Sequence, residues 1–296
     1  MKEVCCNLCG NCESLFFKRL GKSSIVRCNN CGLYYLNPQL EEKELDELYS
    51  EAYFSSEDSA VSGYDNYTSD KENIILTSHR KLKVIEKFLP HKGELLDIGC
   101  AAGFFLLAAR QRNWKVKGVE YCDYVAEIGR ESYNLEITTG TLETANYEDN
   151  QFDCVTMWDL IEHLPNPMGS LADVNRVLKP GGILAIMTPN VDSLIAKIWG
   201  RKWLLWNRTD HMFFFSPKTL NKMLEKNGFN VVLLKKIGLG GKYVSIDFIF
   251  SRLIKYSKSL FSFFRNFVNK IGIGKVTIFA DWGDNFVVLA RKANNK

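Results

Sequence analysis

Three groups of residues in this chain have the types and spacing to do chemistry. The first is LLDIGCAAGF (95–104), where an apolar run ends in Asp97 and is followed by Gly99 and Gly103, four apart. Such a run reads as a buried strand turning sharply into a helix. With no Cβ at either glycine, the backbone can make the turn and let a ligand lie against it at the carboxyl edge of a parallel sheet, beside Cys100 and Ala101. Glu120 ends the next apolar run, KVKGVE, about 20 residues further on, where an acid would accept hydrogen bonds from a ribose diol. A dinucleotide fingerprint needs G-x-G-x-x-G so that its middle glycine admits a pyrophosphate; here Cys100-Ala101 stands at that place, and no G-x-x-x-x-G-K-[ST] loop occurs. A nucleoside without phosphate is favoured.

The second group is Asp159-Leu160-Ile161-Glu162-His163, with His211 further on. In one helical turn Asp159, Glu162 and His163 would share a face. Three uses compete: His163 or His211 as general base, a divalent-cation site built from Asp159, Glu162 and His163 with or without His211, or a structural network that caps helices. Hard cations prefer oxygen, so two imidazoles would shift the choice toward Mn²⁺, Fe²⁺ or Zn²⁺.

The third group is a pair of C-x-x-C-G knuckles, Cys6/Cys9 and Cys28/Cys31, separated by eighteen residues that read as strands at 14–19 and 25–27. Four thiolates so spaced suit a tetrahedral structural Zn²⁺ with no open position for water, hence no part in the chemistry. Cys5 and Cys12 blur the ligand choice, because Cys9-x-x-Cys12 has the same spacing; the glycine after Cys9 favours Cys6 and Cys9. Cys100, Cys122 and Cys154 read as buried hydrophobes.

The elements that must position these groups follow from periodicity. Apolar residues at Ile74, Ile75, Leu82, Ile85 and Leu89 mark a helix over 71–89, and another spans 104–113. Strands are expected at 94–98, 116–119, 135–138, 152–158, 182–188, 230–235 and 285–290, alternating with helices. That alternation predicts right-handed crossovers and a doubly wound α/β sheet. The chain divides into a ribbon at 1–37, a linker or cap at 38–70 and an α/β domain at 71–296. The linker holds an acidic helix over 41–49 and an aromatic loop over 51–69 with Tyr53, Phe54, Tyr64 and Tyr67. At 296 residues, 46% apolar, the chain can bury one full core, and a net charge of +4 is too mild to propose nucleic acid. It begins MKEVCC, without the apolar stretch of a secretory signal or a membrane span, so a cytoplasmic or peripheral protein is expected.

Taken in order, LLDIGCAAGFF, VKGVE, FDCVTMWDLIEHLPNP, VLKPGGILAIMTPN and DHMFFFSPKTLNKMLEKNGFNVV resemble successive motifs of the class I S-adenosylmethionine (SAM) dependent methyltransferases, over residues 76–234. The likeness extends to the bacterial branch with an N-terminal zinc ribbon and, in mechanism, to the ubiquinone-pathway O-methyltransferases. It implies seven strands in the order 3-2-1-4-5-7-6 with the last antiparallel, and methyl transfer from SAM to an oxygen, before carbon or nitrogen. It implies that residues 140–143, Leu142 among them, border the adenine, and that Arg80 reaches the SAM carboxylate. The related O-methyltransferases and small-RNA 2′-O-methyltransferases carry an acidic-x-x-Glu-His pattern that binds a divalent metal; here Asp159 replaces their Glu, which shortens the reach.

Two segments carry the acceptor signal. LIAKIWGRKWLLWN (194–207) joins three tryptophans to Lys197, Arg201 and Lys202, which suits a lipid boundary or a stacked ring. An insertion at 246–275 places Ile249, Leu253, Tyr256, Leu260, Phe264, Phe267 and Ile271 on one face of an expected continuous helix, with Ser251, Lys255, Lys258, Ser262, Arg265 and Asn269 opposite. Between Phe248 and Ala280 there are six Lys or Arg and no acid. Such a helix fits an anionic membrane surface, or else packs on the sheet or a second subunit. The acceptor is then a small molecule, a sugar or a lipid-linked compound. An RNA methyltransferase is the competing enzyme, though basic charge is concentrated only in this helix, and a SAM-binding regulator or scaffold is the non-catalytic alternative.

Overall fold

The computed structural model of the chain describes residues 1–41, 44, 70–254 and 257–293. The acidic linker helix and the aromatic loop over 51–69 lie outside the described residues.

The N-terminal ribbon is built from β1 (Ser14–Leu20), β2 (Ser23–Cys28) and β3 (Tyr34–Asn37), all antiparallel. There follow α1 (Lys71–Ile85), β4 (Glu94–Ile98), α2 (Phe104–Gln111), β5 (Lys115–Glu120), α3 (Asp123–Tyr133), β6 (Ile137–Thr139), β7 (Phe152–Trp158), α4 (Pro167–Val177) and β8 (Leu178–Pro189). The remainder is α5 (Leu194–Trp199), β9 (Phe213–Phe214), α6 (Pro217–Lys226), β10 (Phe229–Lys235), β11 (Lys242–Ser245), α7 (Ile246–Leu253), α8 (Lys258–Lys270), β12 (Thr277–Ala280) and β13 (Asn285–Lys292).

The main sheet runs β10-β13-β8-β7-β4-β5-β6. β13 is antiparallel to both its neighbours and the other pairings are parallel, which is the order and polarity the motifs implied. Central strands β4 and β7 are predominantly apolar because helices cover both faces: Leu95, Leu96, Phe152, Cys154, Val155 and Met157 are all buried. Cys100, Cys122 and Cys154 are buried as well.

Several boundaries differ from expectation for local reasons. The first helix stops at Ile85 and tightens into a 3₁₀ turn over Glu86–Phe88. β6 starts two residues late, since Asn134 ends α3 in a left-handed conformation and the Leu135 amide still bonds back to Gly129. β8 starts four residues early, because Leu178 already pairs with Phe152 across an irregularity.

The expected continuous helix over 249–271 is two helices. α7 and α8 form a hairpin closed at its base by the antiparallel pair β11–β12. Arg265, expected opposite the apolar face, instead ties the two helices together, its Nε and Nη2 each donating to Asp247 at 2.8 Å while the side chain stays partly exposed.

The ribbon is not a separate bead. Its sheet continues from β3 into β9, with Tyr34 opposite Phe214 and Tyr35 opposite Phe213. A satellite core of Ile25, Leu36, Trp203, Trp206 and Phe214 seals the junction. Trp206, one of the three tryptophans read as acceptor-facing aromatics, thus serves packing, its ring set against Phe17, Tyr34, Trp203 and Phe214, while Trp203, buried beside it, also lines the cavity described below. Trp199 stays exposed.

Candidate active site

The strand-to-helix turn after β4 is shaped as its glycines require. Gly99 has φ +70°, and a Cβ there would stand 2.9 Å from Leu160 Cδ1. The amides of Gly99 and Cys100 both donate to the Val119 carbonyl, at 2.8 and 3.2 Å, which pins the turn to β5. Glu120 closes the cradle: its carboxylate accepts from the amides of Ala101 and Cys122, each at 2.9 Å. Those bonds fix the carboxylate while each oxygen keeps a lone pair for a ribose hydroxyl.

Asp97, at the end of β4, accepts from the Thr156 hydroxyl at 2.6 Å. Burial pushes it up to about 7 against the pull of Thr156 and Lys81. Lys81 comes from α1, with Nζ 4.1 Å over the Trp158 ring, and burial lowers it to about 8 in the face of Asp159 and Asp97.

These groups open on one cavity of about 1230 Å³. Asp97, Gly99, Cys100, Ala101, Glu120, Leu142, Asp159, Glu162, His163 and His211 all line it. Two residues expected at the cofactor do not. Gly103 begins α2 at φ +76° and packs under Leu135, so its missing Cβ serves the helix–strand contact. Arg80 points away, donating to the Gly238 carbonyl at 3.1 Å and lying 4.3 Å over the Phe279 ring. Its neighbour Lys81 lines the cavity instead. The spacing held that signal: Lys81 shares the buried side of α1 with Ser78, Leu82 and Ile85, whereas Arg80 falls on the exposed side.

The acid–histidine segment also departs from expectation. Asp159 adopts a left-handed conformation with φ 51°, and only Ile161–His163 forms a turn, of 3₁₀ type, so Asp159 does not share a helical face with Glu162 and His163. The metal-competent cluster is Glu162, His163 and His211, with one ligand atom from each lying within 4.8 Å of the others. The imidazoles of His163 and His211 stand edge to face, 4.6 Å between centroids. His163 Nδ1 lies 3.0 Å from the Asp210 carbonyl, which selects the tautomer with its proton on Nδ1 and its lone pair on Nε2. Burial lowers the pKa of both histidines, keeping them neutral at neutral pH. Glu162 Oε2 accepts from the Thr188 hydroxyl at 2.8 Å, but Glu162 Oε1 and His211 Nδ1 are buried without a hydrogen-bond partner. Two orphaned acceptors beside a third donor atom are what a cation would satisfy.

In the ribbon, the sulfurs of Cys6, Cys9, Cys28 and Cys31 lie within 4.8 Å of one another. Cys6 to Cys31 is 3.4 Å and Cys9 to Cys28 is 3.5 Å. A tetrahedron with metal–sulfur bonds of about 2.3 Å has edges of about 3.8 Å, so the four thiols fit zinc. Cys5 and Cys12 form a disulfide, which removes Cys12 from the ligand choice.

Residues 74–234 match the family described as Methyltransferase domain. Among curated relatives, the ubiquinone biosynthesis O-methyltransferase of Coxiella burnetii is 26% identical over 164 residues, covering 51% of this chain and 70% of that one. The demethylmenaquinone methyltransferase of Staphylococcus aureus is 28% identical over 187 residues, covering 53% and 78%. Among solved structures, a SAM-dependent methyltransferase from Archaeoglobus fulgidus superposes with a TM-score of 0.50 at 19% identity, covering 76% of this chain and 99% of that one.

Proposed function

The chain belongs to the SAM-dependent methyltransferases, and from that premise we propose that it moves the methyl group to an oxygen, in preference to carbon or nitrogen, of a small-molecule, sugar or lipid-linked acceptor in the cytoplasm. The observation that carries this reading is the cluster of Glu162, His163 and His211 on the wall of the cavity that also holds the Gly99–Glu120 cradle. Displacement at a sulfonium is an in-line reaction, so most of the acceleration comes from holding acceptor and methyl close and aligned. A hydroxyl acceptor must also lose its proton.

Each residue has a role in this reading. Gly99, Cys100 and Ala101 bring bare backbone against the nucleoside, Glu120 takes the ribose hydroxyls, and Leu142 lies along the adenine. Asp97, with Lys81 beside it, faces the charged amino-acid end. Glu162, His163 and His211 form a two-imidazole, one-carboxylate set that suits Mn²⁺, Fe²⁺ or Zn²⁺. Such a cation, when bound, lowers the pKa of a coordinated acceptor hydroxyl. The Asp210 carbonyl orients His163 for ligation through Nε2. Asp159, open to the cavity, remains to orient the acceptor. Cys6, Cys9, Cys28 and Cys31 hold a structural zinc.

The same His163 tautomer would serve a general base, which is the second reading. Methyl transfer from labelled SAM into a cell extract separates the two. If a chelator abolishes incorporation and Mn²⁺ restores it, the cation reading stands. Chelator-resistant transfer that rises with the deprotonation of one imidazole leaves His163 as the base, and no incorporation at all returns the protein to the SAM-binding regulators.

A further inference from the structure

We propose that the outer face of the α7–α8 hairpin docks the protein on an anionic lipid surface, placing the cavity wall one helix away from the membrane. Seven large apolar side chains are exposed within residues 263–278, among them Phe263 at 67%, Phe267 at 53% and Ile271 at 51%. Exposed apolar side chains gathered on one short segment in this way mark an interaction site, whereas residues scattered singly do not. Interleaved with it are Lys258, Lys270 and Lys275, all exposed, and the chain has no acid between Phe248 and Ala280.

Charge selects the occupant. A second copy of the chain, related by a two-fold axis, would bring like charges together across the patch, whereas an anionic headgroup layer is complementary to it. Among the described residues no helix is long and apolar enough to cross a membrane, so the hairpin lies on the surface with its phenylalanines in the headgroup boundary.

The hairpin is built to face two ways. Phe248 and Leu253 of α7 line the cavity, with Lys242 and Tyr243 of β11 beside them. Asp247 binds Arg265 and accepts from Asn269 at 2.6 Å, while Phe250 stacks on Phe264 at 6.2 Å, so α7 and α8 move as one piece. The exposed face is carried by α8 and the cavity wall by α7, so a docked hairpin puts α8, about 10 Å across, between the lipid and that wall. Docking stands on the surface alone; that the docked face delivers a lipid-linked acceptor rests on the methyl-transfer reading above.

The test is co-sedimentation of the full chain with vesicles of phosphatidylcholine, with and without phosphatidylglycerol, at low and high salt. Wild type is expected to sediment with the anionic vesicles at low salt and to be released by salt. Two variants, Phe263→Ser/Phe267→Ser and Lys258→Glu/Lys270→Glu, are each expected to weaken binding about tenfold or more, with binding of the demethylated cofactor S-adenosylhomocysteine by calorimetry unchanged as proof of folding. Absence of vesicle binding overturns the proposal, as does binding that neither variant weakens or that ignores lipid charge. So does a concentration-dependent dimer that the phenylalanine variant dissolves, because the face would then be a self-interface. Vesicle binding without methyl transfer would leave docking intact and sink the catalytic reading.

Discussion

The main-chain amide of Leu36, in the last strand of the ribbon, donates to the carbonyl of Met212 at 2.9 Å, and the Met212 amide donates onward to the carbonyl of Glu162 at 2.8 Å. A single hydrogen-bonded path therefore joins the cysteine ribbon to the turn that carries Glu162 and His163, and it passes beside His211. The ribbon is in effect an edge of the candidate site. Asp97, Gly99 and Glu120 hang on β4 and β5, which meet the ribbon through apolar packing, with Cys6, Leu8, Leu33 and Tyr35 sharing a core with Leu96, Ile98 and Val119.

That difference in attachment, hydrogen-bonded to the Glu162 turn and packed against the cradle strands, predicts a split phenotype for the ribbon. Cys28→Ser is expected to lower zinc content from about one to about none per chain in elemental analysis and to reduce Tm by several degrees, in line with the loss of a structural metal. S-adenosylhomocysteine affinity by calorimetry should stay within a few fold while turnover falls. An equal loss of cofactor binding would show that the ribbon supports the whole domain.

His163→Ala and His211→Ala are each expected to cut turnover by about 100-fold or more, the scale on which loss of a metal ligand or a base is felt. SAM affinity should stay within a few fold in both. The two variants also discriminate: a general-base role for His163 leaves His211→Ala substantially active, whereas a shared cation disables both. Steady-state kinetics beside calorimetry reads the difference. Unchanged turnover in His163→Ala removes that residue from the catalytic set.

Exchanging neighbours on α1 tests which base meets the cofactor. Lys81→Met is expected to weaken SAM binding about tenfold, the scale of one charge-assisted hydrogen bond. Arg80→Ala, which removes a contact to Gly238 and Phe279, should leave affinity within about twofold while costing up to about 1 kcal/mol of stability. Fluorescence titration of the two variants checks both values, and the reverse ranking would restore Arg80 to the site.

Asp97 should leave a signature in pH. Its folded pKa of about 7 lies above the unfolded value of about 3.9, so the protonated carboxyl is the form the empty cavity favours. The associated stability is fully present below about pH 3.9 and is lost as pH rises through about 7. Relative to Asp97→Asn, the cofactor-free protein should therefore lose stability progressively between about pH 4 and 7, by an amount on the order of a few kcal/mol that is read as a falling Tm. Differential scanning calorimetry across that window measures it. Parallel profiles for the two proteins would show that Asp97 is already ionised in the empty fold.

The sequence by itself carried whatever depends on local pattern. The strand that ends in Asp97 and turns at Gly99, the acid at 120, the paired cysteine knuckles and the alternation of strands with helices were all legible, while the order of the seven strands came with the methyltransferase resemblance. Apolar periodicity and glycine spacing answer to the backbone of a few neighbouring residues, and crossover handedness leaves few ways to assemble them. Tertiary structure decided what depends on direction and on partners distant in the chain. It chose Lys81 over Arg80 by the rotation of one helix, and it removed Asp159 from the ligand cluster by a left-handed backbone. It brought His211 against His163 across forty-eight positions by way of β9. It also spent Trp206 on the ribbon junction and folded the basic apolar insertion into a hairpin, because which face of an amphipathic segment is covered depends on the neighbours it meets in space.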